Sequence, residues 1–181
     1  MRFEKVSFEA FRKDMLRHGW TEDVVHAAYQ NVKLPERKTA YSAGYDFVLP
    51  MKIMIKGHES VIIPSGIKVY FEPEEAEKYH LELHVRSSTG IRRGCVLSNG
   101  TAIVDADYYG NEDNEGDILI ALYNRDDFPK YFDAGDRIMQ GVFVQHGIAD
   151  NDTADGVRAG GVGSTDAQDL CCNDDYCEIG W

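Results

Sequence analysis

The chain has 181 residues, of which 43% are hydrophobic, and it carries a formal net charge of −12 at pH 7. This length suits one globular domain with a substantial core. The negative charge argues against broad nucleic-acid binding, which rests on many phosphate contacts from a basic face. Because no apolar run is long enough for a membrane span and residues 1–6 lack a signal-peptide core, we expect a cytoplasmic protein without nucleic-acid or membrane partners.

Residues 1–31 predict a short helical extension. Ser7 is placed to cap a first helix and Gly19 to end it. Thr21 is placed to cap a second helix. The apolar faces of the two helices consist of Phe8, Phe11, Met15 and Leu16 in the first and Val24, Val25, Ala28 and Tyr29 in the second. We expect this helical hairpin to pack on the main body or on a neighbouring subunit.

Residues 32–148 show short apolar runs separated by Gly and Pro at close intervals, which is typical of an all-β domain. So many short strands without long helices between them predict a distorted jelly-roll or β-clip barrel. A single helical turn is predicted at 73–78. The predicted strands are 47–49, 52–55, 60–63, 67–71, 79–85, 101–104, 117–123, 130–132 and 137–145.

Residues 149–181 are polar, acidic and rich in small residues, and we expect a flexible C-terminal arm followed by an acidic, cysteine-containing tail. The glycine-rich segment 158–165 offers an arginine and two hydroxyls to anionic oxygens. The four cysteines, Cys95, Cys171, Cys172 and Cys177, form no CxxC pair. Zinc or a disulfide remains open in the tail beside the simpler expectation of reduced, solvated thiols.

The chain is organised around residues 100–110, where a β-branched run ends in Asp105-Ala-Asp107-Tyr108 between Gly100 and Gly110. Two carboxylates two residues apart on an extended segment point the same way. A tyrosine beside them supplies a flat apolar face with one polar tip. A solvated surface hairpin is the alternative interpretation, whereas the functional interpretation is one wall of a ligand pocket.

Four further segments present polar groups at strand ends or turns. Residues 43–47 present Asp46, and residues 134–140 present Arg137 and Gln140. Residues 85–94 place two serines, a glycine and three arginines after a strand, which suits phosphate binding, with a polar helix cap as the alternative. The fourth segment is the glycine-rich stretch 158–165.

In chain order these five segments resemble the five motifs of the trimeric dUTP pyrophosphatase (dUTPase) family. The most specific parts are Arg86-Ser-Ser, the 105–110 segment and Gly135-Asp-Arg-Ile-Met-Gln140. The resemblance implies a jelly-roll homotrimer that hydrolyses dUTP to dUMP and pyrophosphate by water attack on the α-phosphate. It also implies magnesium held by triphosphate oxygens and waters, with no direct protein ligand.

The resemblance implies a role for each site residue. Asp105 would activate the attacking water with Gln140 beside it, Tyr108 would lie beneath the deoxyribose, and Asn99 would pair with the uracil edge. The phosphate-binding and arm residues would be Arg86, Ser87, Ser88, Arg158, Gly161, Gly163, Ser164 and Thr165. The supporting residues would be Asp46, Asp107 and Arg137.

Two departures from the family pattern concern the arm and the hairpin. Val162 stands where the family has a phenylalanine that stacks on uracil, and residues 111–116 lengthen the hairpin without touching Asp105. Two other functions stay open. A dCTP deaminase shares the fold and the Arg-Ser-Ser motif but relies on a glutamate near the base, and a dUTP-sensing regulatory protein would use dUTP to control partner contacts.

Overall fold

The computed structural model describes residues 1–156, 158, 160 and 161. These residues form three helices, α1 Phe8–Arg17, α2 Glu22–Asn31 and α3 Pro73–Ala76. They form eleven strands: β1 Arg2–Lys5, β2 Tyr45–Val48, β3 Ile53–Ile55, β4 Ser60–Pro64, β5 Ile67–Tyr70, β6 Tyr79–Val85, β7 Cys95–Leu97, β8 Ala102–Val104, β9 Leu119–Asn124, β10 Lys130–Phe132 and β11 Arg137–Gln145. Two tight turns lie between strands, a π-helical turn Ser88–Arg92 and a 3₁₀ turn Ala106–Tyr108. Within this described part, no helix has the length and apolar character needed to cross a membrane.

The strands pair antiparallel in four small sheets, which confirms the all-β prediction. A four-stranded sheet has the order β2-β11-β6-β8, and a three-stranded sheet has the order β4-β9-β7. The pairs β1-β5 and β3-β10 complete the barrel. In β9 the side chains alternate between half-buried and fully buried positions, as expected for strands with one face on a core.

Two strands were not predicted from the sequence. Three of the four residues of β1 are charged, but the strand pairs with β5 over its full length and places Phe3 against the rings of Phe47 and Phe143, with centroid distances of 5.7 and 5.6 Å. Strand β7 is only three residues long and pairs with β9. Both strands therefore depend on partners that are distant in the chain.

The two N-terminal helices begin and end close to their predicted positions. The Ser7 hydroxyl caps α1 by accepting a hydrogen bond from Ala10 N at 3.1 Å. Thr21 occupies the N-cap position of α2, but its side chain bonds Asp23 instead of capping the helix, so that part of the prediction is wrong. The prediction that Leu16 belongs to the apolar face of α1 is also wrong, because Leu16 is 39% exposed. Asp14 takes a buried position on the inner face of the helix instead.

The helices and the barrel share one hydrophobic core. Phe11 and Met15 of α1 are fully buried together with residues of both large sheets. The indole N–H of Trp20 donates to the Ile62 carbonyl of β4 at 2.9 Å, which fixes the end of α1 to the three-stranded sheet. The helices thus pack on the main body of their own chain, while the boundaries at residues 31 and 148 stay a prediction.

Asp14 is the unusual member of this helix–barrel contact. Its side chain is fully buried, and among the described residues neither carboxylate oxygen has a hydrogen-bond partner. The nearest cation, Arg17 Nη1, is 3.8 Å away. Burial raises the pKa of Asp14 above its ordinary value, against the opposing effects of Asn114 and Arg17. Burial therefore disfavours the charged form of this carboxyl.

Replacing Asp14 with asparagine should remove a pH-dependent loss of stability. Because the folded-state pKa is raised, the contribution of this carboxyl to stability is complete below the unfolded value of about 3.9 and is lost as pH rises through the folded value. Because an amide does not ionise, Asp14→Asn should therefore increase the free energy of unfolding at pH 8, by about 1.4 kcal/mol for each pH unit by which the folded-state pKa of Asp14 exceeds the unfolded one. The gain should shrink towards pH 4.

Urea denaturation between pH 4 and 8, at one protein concentration, measures this difference. Asp133→Asn is the matched control, because the Asp133 side chain is 81% exposed and its replacement should leave the pH profile unchanged. An Asp14→Asn profile parallel to that of the parent chain would contradict the assignment.

Candidate active site

The hairpin at the end of β8 carries the two predicted carboxylates. Asp105 keeps an extended backbone and directly precedes the 3₁₀ turn, but Asp107 lies within that turn. The expectation that both aspartates extend from one strand is therefore wrong. Even so, the tight turn brings both carboxylates to a single guanidinium group.

Arg158 is that guanidinium group. Its Nη2 lies 3.2 Å from Asp105 Oδ2, and its Nε donates to Asp107 Oδ1 at 2.9 Å. The guanidinium carbon is 5.8 Å from the centroid of the Tyr108 ring. The Arg158 side chain is 17% exposed, whereas those of Asp105 and Asp107 are 52% and 55% exposed. Arg158 thus pairs with both hairpin carboxylates while leaving them open to water.

A cavity of about 370 Å³ opens beside this cluster. Its polar groups come from Asn99, Asp105, Tyr108 and Arg158, which the structure brings together as the sequence predicted. Apolar side chains supply most of the remaining wall: Ile62, Leu83, Leu97, Ala102, Ile103, Val104, Ile118, Leu119 and Ala121. An apolar cavity with a few converging polar groups is the usual form of a small-molecule site.

Tyr108 lies in the wall of this cavity and is only 9% exposed. Its hydroxyl donates to the Asp117 carbonyl at 3.0 Å and accepts from Asn114 Nδ2 at 3.0 Å. Burial raises the pKa of Tyr108 to about 12, so the phenol is neutral at any physiological pH. From the sequence, residues 111–116 were expected only to lengthen the hairpin, and Asn114 was missed. The two asparagines spaced three residues apart were the available signal.

A second polar cluster surrounds Asp46 on β2. Arg86 Nε lies 2.8 Å from Asp46 Oδ1, and Arg137 Nη1 lies 3.1 Å from Asp46 Oδ2. Asp46 is 8% exposed, so the two arginines are held by a nearly buried carboxylate. Arg86, Ser88 and Arg137 also line a cavity of about 230 Å³, and Ser87 directly precedes the π-helical turn at its edge.

Gln140 belongs to this second cluster. Gln140 lies in β11, and in the sheet register it stands opposite Asp46 of β2 on one side and His84 of β6 on the other. A side chain at Gly44 would place its Cβ 2.3 Å from Gln140 Oε1, so the close approach of the two segments requires glycine at this position. Gln140 therefore lies on the strand pair that carries Asp46, with its amide against Gly44.

The two clusters lie towards opposite ends of β6. Val104, which precedes Asp105, pairs with Leu81, and Arg86 follows five residues further along the same strand. At about 3.3 Å per residue this separation is roughly 16 Å. A single chain therefore does not bring Asp105 within hydrogen-bonding reach of groups that Arg86 contacts.

Several predicted residues belong to the arm. Gly161 is buried, and a Cβ built on it would lie 3.0 Å from Asp113 Oδ2. The remaining predicted arm residues, Val162, Gly163, Ser164 and Thr165, lie outside the described residues, as do Cys171, Cys172 and Cys177. Cys95 is a buried free thiol in β7.

The strand order and the two clusters define a β-barrel protein with a small-molecule site on a hairpin. Residues 30–166 match the dUTPase family. The chain is 36% identical over 143 residues to the deoxyuridine 5′-triphosphate nucleotidohydrolase of Lactococcus lactis, an alignment that covers 77% of this chain and 93% of the relative. The chain therefore belongs to the dUTPase family.

Solved structures agree with this assignment. The dUTPase from Streptococcus mutans superimposes with a TM-score of 0.64 at 31% identity, covering 83% of this chain and 100% of that one. A variant of the dUTPase from phage phi11 of S. aureus, described with a structural Mg(II) ion, gives a TM-score of 0.57 at 18% identity. That alignment covers 70% of this chain and 92% of the phage protein, and at this identity it supports the fold alone.

The paired state of Arg158 should protect the following peptide bond from trypsin, because cleavage requires the guanidinium to enter the protease pocket. Asp107→Asn removes one of the two ion pairs and should speed release of residues 159–181 by about two- to fivefold, consistent with about 0.5–1 kcal/mol for a partly exposed pair. Mass spectrometry of the released fragment follows the rate. Asp150→Asn is the control in the same segment, and equal rates in both variants would contradict the pairing.

Proposed function

We propose that this chain hydrolyses dUTP to dUMP and pyrophosphate, the activity for which its Lactococcus relative is named. The observation that carries the proposal is the hairpin cavity, where Asp105 meets Asn99, Tyr108 and Arg158. These four groups supply a base, a nucleobase-pairing amide, a flat sugar face and a cation for phosphate. Each has a distinct role in the reaction.

Asp105 is the general base in this proposal. Its carboxylate accepts a proton from water while the water oxygen bonds to the α-phosphorus. The bond between that phosphorus and the bridging oxygen breaks, and pyrophosphate leaves with the bond electrons. The carboxylate is 52% exposed and therefore open to water before substrate binds.

Asn99 and Tyr108 account for recognition of the nucleoside. The Asn99 amide offers one donor and one acceptor group to the uracil edge. The ring of Tyr108 lies beneath the deoxyribose, where a 2′-hydroxyl would have no room. Selection against ribose then depends on how firmly the ring is held.

The phosphate-binding groups come from the second cluster, and we propose that a neighbouring subunit supplies them. Arg86, Ser87, Ser88 and Gln140 would contact the triphosphate, with Asp46 and Arg137 holding Arg86 in place. Since about 16 Å of strand separates Arg86 from the end of β8 in one chain, both clusters reach one dUTP only across a subunit interface. A homotrimer with three shared sites satisfies this requirement.

The arm closes the site through an exchange of partners. In the structure Arg158 pairs with Asp105 and Asp107. On binding, the guanidinium transfers to the γ-phosphate oxygens, which leaves the Asp105 carboxylate free to accept a proton. Gly161, Gly163, Ser164 and Thr165 then wrap the triphosphate, and closure excludes stray water.

We propose magnesium as the cofactor, bound to the triphosphate oxygens and to water. Asp105 and Asp107 present exposed carboxylate oxygens, the kind of group that accepts hydrogen bonds from a hydrated magnesium ion. Across the described residues, no cluster of three or more His, Cys, Asp or Glu side chains is arranged to hold a metal. When bound, the ion neutralises charge on the departing pyrophosphate.

The family match favours dUTP hydrolysis over both alternative functions. A dCTP deaminase would need a glutamate near the nucleobase, whereas the described lining of the hairpin cavity has Asp105 as its acidic residue. A sensing role for dUTP is compatible with hydrolysis but is not favoured as a replacement for it.

Asp105→Asn should keep dUTP binding and lower kcat by about 10²–10⁴, the usual effect of losing a positioned general base. Asp107→Asn is the matched control, because Asp107 has similar exposure and also pairs with Arg158. It should lower kcat less than about tenfold, since Asp107 accepts no proton from water in this proposal. Pyrophosphate release measures kcat, and calorimetry with a non-hydrolysable dUTP analogue measures binding. If Asp107→Asn causes the large loss while Asp105→Asn retains parent turnover, the base is Asp107.

A further inference from the structure

The inserted segment 111–116 is a structured support beneath Tyr108. Asn111 and Asn114 are buried, at 7% and 3% exposure. Asn111 Oδ1 accepts from the backbone N–H groups of Asp113 and Asn114 at 3.0 and 3.1 Å, and its Nδ2 donates to the Tyr108 carbonyl at 2.8 Å. The segment therefore folds on its own side chains and is attached to the tyrosine backbone.

Asn114 connects this support to the other end of the tyrosine. Its Nδ2 donates to the Tyr108 hydroxyl at 3.0 Å and to the Asp117 carbonyl at 3.2 Å. Its Oδ1 accepts from Asn111 Nδ2 at 2.9 Å and from Gly116 N at 3.0 Å. The hydroxyl itself donates to the Asp117 carbonyl. Any tilt of the Tyr108 ring therefore breaks at least one hydrogen bond in a buried setting.

Helix α1 holds the support from the opposite side. Arg17 makes two bonds of 2.6 Å to the Asp113 carboxylate, and this contact lowers the pKa of Asp113 to about 2. The Ser7 hydroxyl donates to Glu115 at 2.6 Å, and Lys68 lies 3.2 Å from the same residue. The match to the dUTPase family begins at residue 30, so helix α1 lies outside it. The support is thus fixed between the helix and the hairpin.

We infer that Asn114 is a positioning residue for Tyr108 and thereby sets the discrimination between deoxyribose and ribose. This inference rests on the proposed role of Tyr108 beneath the sugar. Rejection of a 2′-hydroxyl is steric, and it fails if the ring can move away by a fraction of an ångström. Tyr108 lines the hairpin cavity, so part of its surroundings is not filled by protein packing. The hydrogen bonds to the hydroxyl supply the missing restraint.

The test is the ratio of kcat/KM for dUTP to kcat/KM for UTP. Asn114→Ala should lower this ratio about tenfold, equivalent to about 1.4 kcal/mol, mainly by raising kcat/KM for UTP. Tyr108→Phe keeps the ring and the support but removes the hydroxyl, and it should lower the ratio by a similar factor. The double variant should show little further loss, because both changes remove the same contact.

Asn124→Ala is the matched control. Asn124 lies at the end of β9 in the three-stranded sheet and is fully buried. Its side-chain amide donates to the carbonyls of Ile55, Lys56 and Phe128. Its replacement should destabilise the protein to a similar degree while leaving the ratio unchanged. An equal fall of the ratio in Asn124→Ala would mean general loosening and would overturn the inference. If Asn114→Ala does not fold, Tyr108→Phe decides the question.

Tyr108→Ala separates failure of this inference from failure of the proposed function. Suppose that Tyr108→Ala lowers the dUTP/UTP ratio of kcat/KM while Asn114→Ala and Tyr108→Phe leave it unchanged. That outcome overturns the positioning role of Asn114 but keeps the Tyr108 ring as the group that rejects ribose. If Tyr108→Ala leaves the ratio unchanged, Tyr108 does not select the sugar, and the positioning role of Asn114 is overturned as well. dUTP hydrolysis by the parent chain is measured in the same series.

Discussion

The antiparallel pairing of β6 with β8 on one side and β11 on the other is the constraint on which the site depends. Its register sets the hairpin carboxylates beside the start of β6 and places Arg86 directly after its end. Because the strand is rigid and fully paired, no local adjustment brings these two groups together. Under the proposed function, one chain therefore carries two half-sites, and catalysis is a property of the proposed oligomer. In the structure the arginine of this strand end pairs with Asp46, and the hairpin carboxylate Asp105 pairs with Arg158.

A second dependence links the N-terminal helix to the nucleoside site. Asp113 and Glu115 are held by α1 and its cap, and the asparagines between and beside them hold Tyr108. Helix α1 therefore contributes to the hydrophobic core and also holds the segment 111–116 that supports Tyr108. A buried polar network of this kind is rigid only when its members are satisfied, and each bond lost at the helix loosens the tyrosine. If Tyr108 has its proposed role, sugar selection depends on residues about 100 positions away from the hairpin.

The sequence was sufficient for the strand pattern, the two N-terminal helices and the residues of both clusters, because these follow from local periodicity and from motifs. The sequence was insufficient for features of the fold that depend on contacts between residues distant in the chain. Strand β1 forms because it pairs with β5, and its charged residues give no alternation of apolar and polar side chains that would predict a strand. The burial of Asp14 in place of Leu16, and the folding of residues 111–116 beneath Tyr108, depend on contacts between α1 and the insertion. The composition of that insertion is the same as that of a solvated turn. Likewise, the distance between Asp105 and Arg86 in one chain follows from the register of β6 with β8, which the motifs do not give.

Complementation between two inactive variants tests the shared site most directly. Asp105→Asn lacks the base and Arg86→Ala lacks a phosphate ligand, so each homo-oligomer should be nearly inactive. In mixed oligomers refolded from equal amounts, a site that takes its hairpin from one variant and its arginine from the other is intact. Random assortment makes about one quarter of the sites intact, so about one quarter of parent activity should return. Mixing Asp105→Asn with the double variant is the control and should restore nothing. Mixed oligomers, verified by native mass spectrometry, that show no activity above the separate variants would contradict a site shared between subunits.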